Sequence, residues 1–281
     1  MTTTTQGRPR AHPAAAPLPS LLATGLSRGR IEVKTFFRER EAVVFIFALP
    51  AVLLLLLGSI FNSQQVNVPG VTTGQLYAAG MIAGGVMATS FQYLGISVAT
   101  ERDQGMLKRL YGTPLPAAAY FTGKIVQVFV CLIAEVVLLM IVGVAFYHLH
   151  LPSAPGRWLT LIWVCLLGGT ACALLGLAAS SLARSARSAS AVITLPFLVL
   201  EFISGIFVPF SDVPRALQDV AAIFPLKWMA QGLRSVFLPS QAAALEPAHS
   251  FQTGRVALVL AVWVAAGLIL CIRTFRWQTR R

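Results

Sequence analysis

Glu101-Arg102-Asp103-Gln104-Gly105-Met106-Leu107-Lys108-Arg109-Leu110-Tyr111-Gly112-Thr113-Pro114 interrupts a chain that otherwise keeps charge away from its middle. Five of the first nine side chains in this stretch are charged, and it closes on Thr-Pro. Apolar runs flank it at 76–98 and 124–147. Runs long enough to cross a bilayer, separated by short charged segments, are the pattern that decides the fold class.

Working outward, the apolar runs number six: 42–61, 76–98, 124–147, 158–182, 189–208 and 256–272. Each is close to the ~20 residues a helix needs to span hydrocarbon. In lipid only a helix satisfies each backbone group within its own segment, so the expected fold is an all-α integral membrane bundle of six spans. Composition agrees: 56% of the 281 residues are hydrophobic and 11% are charged, where a soluble domain carries roughly a quarter charged residues. The net charge of +12 sits beside the apolar runs. That is how topology signals are placed, and it argues against a nucleic-acid surface.

Residues 1–25, rich in Thr, Pro and Ala, read as a disordered tail, with no signal peptide. Residues 26–275 form the transmembrane domain, and 276–281 a second tail. Within 26–41, Ile31, Val33, Phe36 and Phe37 alternate with Arg28, Arg30, Glu32, Lys34, Arg38, Glu39 and Arg40. This suits an amphipathic interfacial helix with basic side chains reaching toward lipid headgroups. Seventeen Lys and Arg residues lie in the N-terminus, 99–124, 183–188 and the C-terminal tail, against five in the opposite segments. That bias puts both termini and the charged stretch in the cytoplasm of a multi-pass inner or plasma membrane protein.

Within the charged stretch, Met106, Leu107 and Leu110 cluster at helical spacing beside Arg102, Asp103, Lys108 and Arg109, and Gly112, Thr113 and Pro114 end the pattern. A short amphipathic helix of this kind can dock into a partner's groove; the same residues also suit a solvated loop. Between 209 and 240, Pro209, Pro214, Pro225 and Pro239 forbid a continuous span. Val213, Leu217, Val220 and Phe224 keep helical spacing, so short outer or re-entrant helices are expected, with Trp228 at a headgroup boundary.

The charged stretch resembles the loop between spans 2 and 3 of ABC-2-type transporter permeases, of the drug- and antibiotic-resistance exporter kind. It matches at Glu101, Arg102, Gly105, Leu107, Lys108, Arg109, Leu110, Thr113 and Pro114. Ser204-Gly205-Ile206-Phe207-Val208-Pro209, Pro214 and Phe224-Pro225-Leu226 resemble the same family after span 5. The resemblance covers about residues 28–275. It implies a cytoplasmic coupling helix inserting into an ABC ATPase subunit, a second identical or different permease chain, and ATP-driven export. No cofactor is expected on this chain. ATP and Mg would belong to the partner, since no G-x-x-x-x-G-K-[ST] occurs and Gly123-Lys124 is followed by Ile125.

Two carboxylates fall inside spans, Glu135 and Glu201. Each must face the bundle, pair, or carry a proton. Glu201, Ser204, Gly205 and Phe207 are a candidate substrate path favouring cationic amphiphiles; a structural carboxyl is the competing reading, more so for Glu135. Gly80, Gly84 and Gly85 in span 2 and Gly168, Gly169, Ala173 and Gly176 in span 4 suit close helix packing. Cys131, Cys165, Cys172 and Cys271 all lie in apolar runs, and His148 and His150 have no carboxylate near in sequence, so no metal site is expected. Hydrophobic drug, antibiotic or lipid-like cargo is the leading expectation, with polysaccharide or lipid export as a variant. A proton-driven secondary transporter would suit the two buried glutamates, although inverted repeats are not evident. A membrane enzyme would need a Ser/His, Asp/His or H-E-x-x-H constellation, and the sequence holds none.

Overall fold

The computed structural model describes residues 20–61, 68–113 and 115–274. Of the expected tails, residues 1–19 and 276–281 lie outside the described residues, as do 62–67, 114 and 275; residues 21–25, expected in the first tail, are instead the opening of a helix, where Gly25 packs against Thr122. No strand occurs among those described, and six helices are long and apolar enough to cross a membrane: Arg40–Phe61, Thr73–Asp103, Ala118–Tyr147, Pro155–Ser180, Ala186–Ile203 and Thr253–Thr274.

Helix α1 (Leu21–Arg38) begins where Ser20 Oγ accepts from the Ala23 amide, and it breaks from α2 (Arg40–Phe61) at Glu39. Its packing face shares only Phe36 with the expected apolar stripe. Gly25, Gly29, Glu32 and Phe36 are buried, whereas Leu22, Leu26, Ile31 and Phe37 are exposed. The glycines let α1 lie against α6 (Ala117–Tyr147): a β-carbon on Gly25 would stand 2.7 Å from Thr122 Cγ2, and one on Gly29 2.7 Å from Val126 Cβ. Close backbone approach at small residues is how helices pack where lipid supplies no hydrophobic drive between them.

Helix α3 (Thr73–Met87) is the centre of the bundle. All fifteen of its residues are buried, and it packs against α2, α6, α7 (Pro155–Ser180) and α10 (Pro225–Phe237). A capping box starts it, Thr72 Oγ1 accepting from the Gln75 amide while Gln75 Oε1 accepts from the Thr72 amide. The span continues through a π-helical turn, Ala88–Tyr93, into α4 (Leu94–Asp103). The chain then makes α5 (Met106–Tyr111), and after α7 it forms α8 (Ala186–Ile203), whose first turn carries a second capping box between Ser185 and Ser188.

The proline-rich region after span 5 is broken into short pieces, α9 (Arg215–Ile223) and α10, before α11 (Thr253–Thr274). Trp228 departs from the headgroup position expected of it. It is 4% exposed, its Nε1 donates to the Ala222 carbonyl at 2.7 Å, and nearly all of α10 is buried with it. Sequence spacing alone does not show that α10 fits between α3, α7 and α11. By contrast, α2 buries only Pro50, Leu54 and Gly58, and leaves residues such as Val44, Phe45 and Ile60 facing outward.

Candidate functional site

Three consecutive charged residues end α4, and each ties the helix to a different neighbour. Glu101 Oε2 accepts from Tyr120 Oη at 2.9 Å, and its Oε1 pairs with Lys124 Nζ, both on α6. Arg102 is buried and donates from Nη2 to the Ser180 and Ala183 carbonyls at 2.6 and 2.7 Å, satisfying the otherwise open carbonyl end of α7. Asp103 Oδ2 accepts from the Ala186 amide at 2.9 Å, at the start of α8.

Lys124 is the hub. It is 1% exposed, and its ammonium also meets Glu32 Oε2 of α1 at 2.9 Å and Ser97 Oγ at 3.4 Å. Arg28 Nη2 holds the other oxygen of Glu32 at 2.5 Å. Two cations thus balance two carboxylates where α1, α4 and α6 meet. Charges placed this deep are retained only when paired and hydrogen-bonded.

Beyond Asp103 the chain turns on Gly105 at φ 71°, a left-handed conformation that a side chain resists. Helix α5 then divides its side chains. Leu107 is fully buried and Leu110 partly so, whereas Met106, Lys108 and Arg109 are exposed, as are Gln104 and Thr113. Thr113 Oγ1 donates to the Leu110 carbonyl at 2.7 Å and closes the helix. Ser27 and Ile31 of α1 face Leu110, Thr113 and Leu115 across a groove of about 520 Å³. Of the residues that the sequence pattern singles out here, Glu101, Arg102 and Leu107 point into the bundle, and Lys108 and Arg109 point out of it. Glu32, Tyr120 and Lys124 were not expected at the site. The available signal was a lysine seven residues inside a largely apolar helix.

A second constellation lies where α8 ends. Glu201 and Phe207 line a cavity of about 30 Å³ with Met81 and Gln92. Glu201 is 7% exposed. Ser204 is fully buried, its hydroxyl without a partner among the described residues, and Gly205 turns the chain at φ 79° and offers its carbonyl to Arg234 Nη1 at 3.2 Å. Span 2 makes room for this: a β-carbon on Gly84 would stand 2.6 Å from Glu201 Oε1. Glu201, Gly205 and Phe207 therefore gather around α3. A larger apolar pocket of about 800 Å³, between α6, α7 and α11, opens past exposed Ile125, Leu268 and Ile272 and does not include Glu201.

Beside the Gly205 turn, Arg234 Nε pairs with Glu246 Oε1 at 2.6 Å. Lys227 is buried, bonded to Gln231 Oε1, and stands over the Trp228 ring at 4.0 Å. Burial pushes the Lys227 ammonium down to about 8; Glu246 opposes the shift, and Arg234 and Arg255 add to it.

The sequence matches the family described as "ABC-2 type transporter" over residues 29–238. The matched region runs from within α1 to the end of α10 and contains both constellations apart from Arg28. A protein of Bacillus subtilis (strain 168) named "Putative transport permease YvfS" is 24% identical over 196 residues, covering 69% of this chain and 77% of its own length.

Proposed function

This chain belongs to the ABC-2 type transporter family, and from that premise we propose that it is the permease of an ATP-driven exporter, energised by ATPase subunits on separate chains. The observation that carries the reading is the split of the charged segment. Glu101, Arg102 and Asp103 fix its base to α6, α7 and α8, while Met106, Lys108 and Arg109 stand free beside the α1–α5 groove. A rigid base with an exposed amphipathic tip is what a push from a partner requires. Lys108 and Arg109 would meet the ATPase directly; Glu101, Arg102, Gly105 and Leu107 would act by holding α5 in place.

The Lys and Arg bias supports a cytoplasmic location for this segment and for both termini. The basic residues of α1, Arg30, Lys34 and Arg38, stand on the same helix as exposed Leu22 and Leu26, which favours lying at the lipid interface. Six spans form half a transporter, completed by a second permease chain and two ATPase chains that bind ATP and Mg. Cargo would be a hydrophobic or amphiphilic compound passing Glu201, Ser204, Gly205 and Phe207, with cationic amphiphiles favoured by the carboxylate.

The test is export from proteoliposomes holding the permease and its ATPase. Export should need hydrolysable ATP and persist when the proton gradient is collapsed. Export without the ATPase that stops with the gradient would establish a proton-driven carrier instead. In the same vesicles Glu201→Gln should lower export of a cationic amphiphile more than of a neutral one; equal rates would remove Glu201 from the path.

A further inference from the structure

Glu135 is fully buried, and neither carboxyl oxygen has a hydrogen-bond partner among the described residues. It is the far end of a longer pattern. Along span 2, Gly85, Thr89, Tyr93, Ser97 and Glu101 recur every fourth residue, and in the antiparallel direction α6 answers with Glu135, Cys131, Gln127, Lys124 and Tyr120. Contacts set this register at four of the five levels. Tyr120 Oη donates to Glu101 at 2.9 Å, Lys124 Nζ to Ser97 Oγ at 3.4 Å, and Gln127 Nε2 to Tyr93 Oη at 3.2 Å. At the last level a β-carbon on Gly85 would stand 2.8 Å from Glu135 Oε1.

Among the described residues, four of the nine buried side-chain atoms without a hydrogen-bond partner fall on the same line. Thr89 Oγ1, Gln127 Oε1 and both oxygens of Glu135 are buried without partners among the described residues. Thr89 also lies in the π-helical turn, a feature frequent at functional sites. Successive levels are three or four residues apart, about 4.5–6 Å along an α-helix. One water bonded to groups above and below spans about 5.5 Å. The seam is therefore spaced for single waters between polar side chains, and it leads from the ion-paired cluster at Glu101 to a carboxyl in mid-span.

We propose that Glu135 is a proton-binding site that exchanges with water at the Glu101 end of the bundle, through the polar seam between span 2 and α6. The step forms an O–H bond on the Glu135 carboxylate with a proton drawn from solvent at that end, and release reverses it. Titratable and charged groups on the surrounding elements are few. Cys131 lies one turn along on α6, with Lys124 farther on; Tyr93 and Glu101 lie on the facing helix, with Glu32 and Arg28 of α1 at the seam's mouth. Cys165 and Cys172 lie on α7, Tyr77 and Tyr147 toward the opposite end, and α2 offers no such group between Ala42 and Phe61. Glu201 meets Gly84, the neighbouring glycine, and forms a separate carboxyl.

Infrared spectroscopy of the full chain in lipid nanodiscs tests this. A protonated-carboxyl band that responds to pH between about 5 and 10 should be lost in Glu135→Gln and kept in Glu201→Gln. Its deuterium exchange should slow severalfold in Thr89→Val/Gln127→Leu. A pH response unchanged in Glu135→Gln, or exchange at the wild-type rate in the seam variant, overturns the proposal. Should Glu135→Gln fold poorly, the unmodified chain can be treated with dicyclohexylcarbodiimide, an apolar reagent for protonated carboxyls. Labelling of the Glu135 peptide that rises as pH falls is expected; none at any pH would also overturn it.

Discussion

Replacing Lys124 with Met removes one ammonium and leaves two carboxylates behind it. Breaking a buried pair by deleting one partner costs about 3–5 kcal/mol. Here part of the loss is offset, because Arg28 stays 2.5 Å from Glu32 and Tyr120 still donates to Glu101 at 2.9 Å. The lower end, about 3 kcal/mol, is therefore expected, or roughly a hundredfold in the folded-to-unfolded ratio. Denaturant titration of purified protein in mild detergent measures it, with trypsin cleavage after Arg30 reporting whether α1 has come away from α6. Glu101→Gln in the Lys124→Met background should cost less than the sum of the single changes by about 1–3 kcal/mol, since the two groups share one contact. A Lys124→Met variant within about 0.5 kcal/mol of the parent, or strict additivity, would refute the reasoning, because either result means the cluster is not the joint between α1, α4 and α6.

Three further outcomes are expected. Lys227 is held below its ordinary value of 10.5, at about 8; with a folded value depressed below the unfolded one, the unfolded chain binds the extra proton between these limits. Stability relative to Lys227→Met should therefore rise as pH climbs from about 8 toward 10, by up to roughly 3 kcal/mol, and thermal melting of the two proteins across that window checks it. Gly176→Ala would set a β-carbon 2.5 Å from the Phe91 carbonyl oxygen in the π-helical turn; backbone gives way poorly, so a loss of about 1–3 kcal/mol in the same denaturant assay is expected. Gly105→Pro demands φ near −65° where the chain has 71°, so it should displace α5 and abolish permease-dependent stimulation of the partner ATPase, while membrane insertion, read by protease protection, stays normal.

The spans were legible because lipid leaves a backbone so few choices: an apolar run of the right length has to be a helix. The proline-broken region was legible for a similar reason, since Pro209, Pro214 and Pro225 exclude a single span whatever surrounds them. What escaped were the partners. The pattern of α1 sets Ile31, Val33, Phe36 and Phe37 apart as the apolar stripe of an interfacial helix, yet Phe36 is buried and Gly25 and Gly29 are what admit α6, and only the folded chain shows which surface lies opposite. Glu101 and Arg102 look like part of an exposed handle because they are charged. Their direct partners, Tyr120, Lys124 and the carbonyls of Ser180 and Ala183, lie 19 to 81 residues away in sequence, and helices must meet in space to bring them together. Trp228 departs from expectation for the same reason, its indole being satisfied by a carbonyl on α9 rather than by the membrane surface.

The proposed mechanism turns on α5 as the surface that receives the ATPase. A photoreactive residue placed at Arg109 in the assembled transporter should form an adduct with a subunit carrying a phosphate-binding loop, identified by mass spectrometry, and the same residue at Gln218 on α9 should not. An ATPase adduct at Gln218 with none at Arg109 would contradict that role for α5.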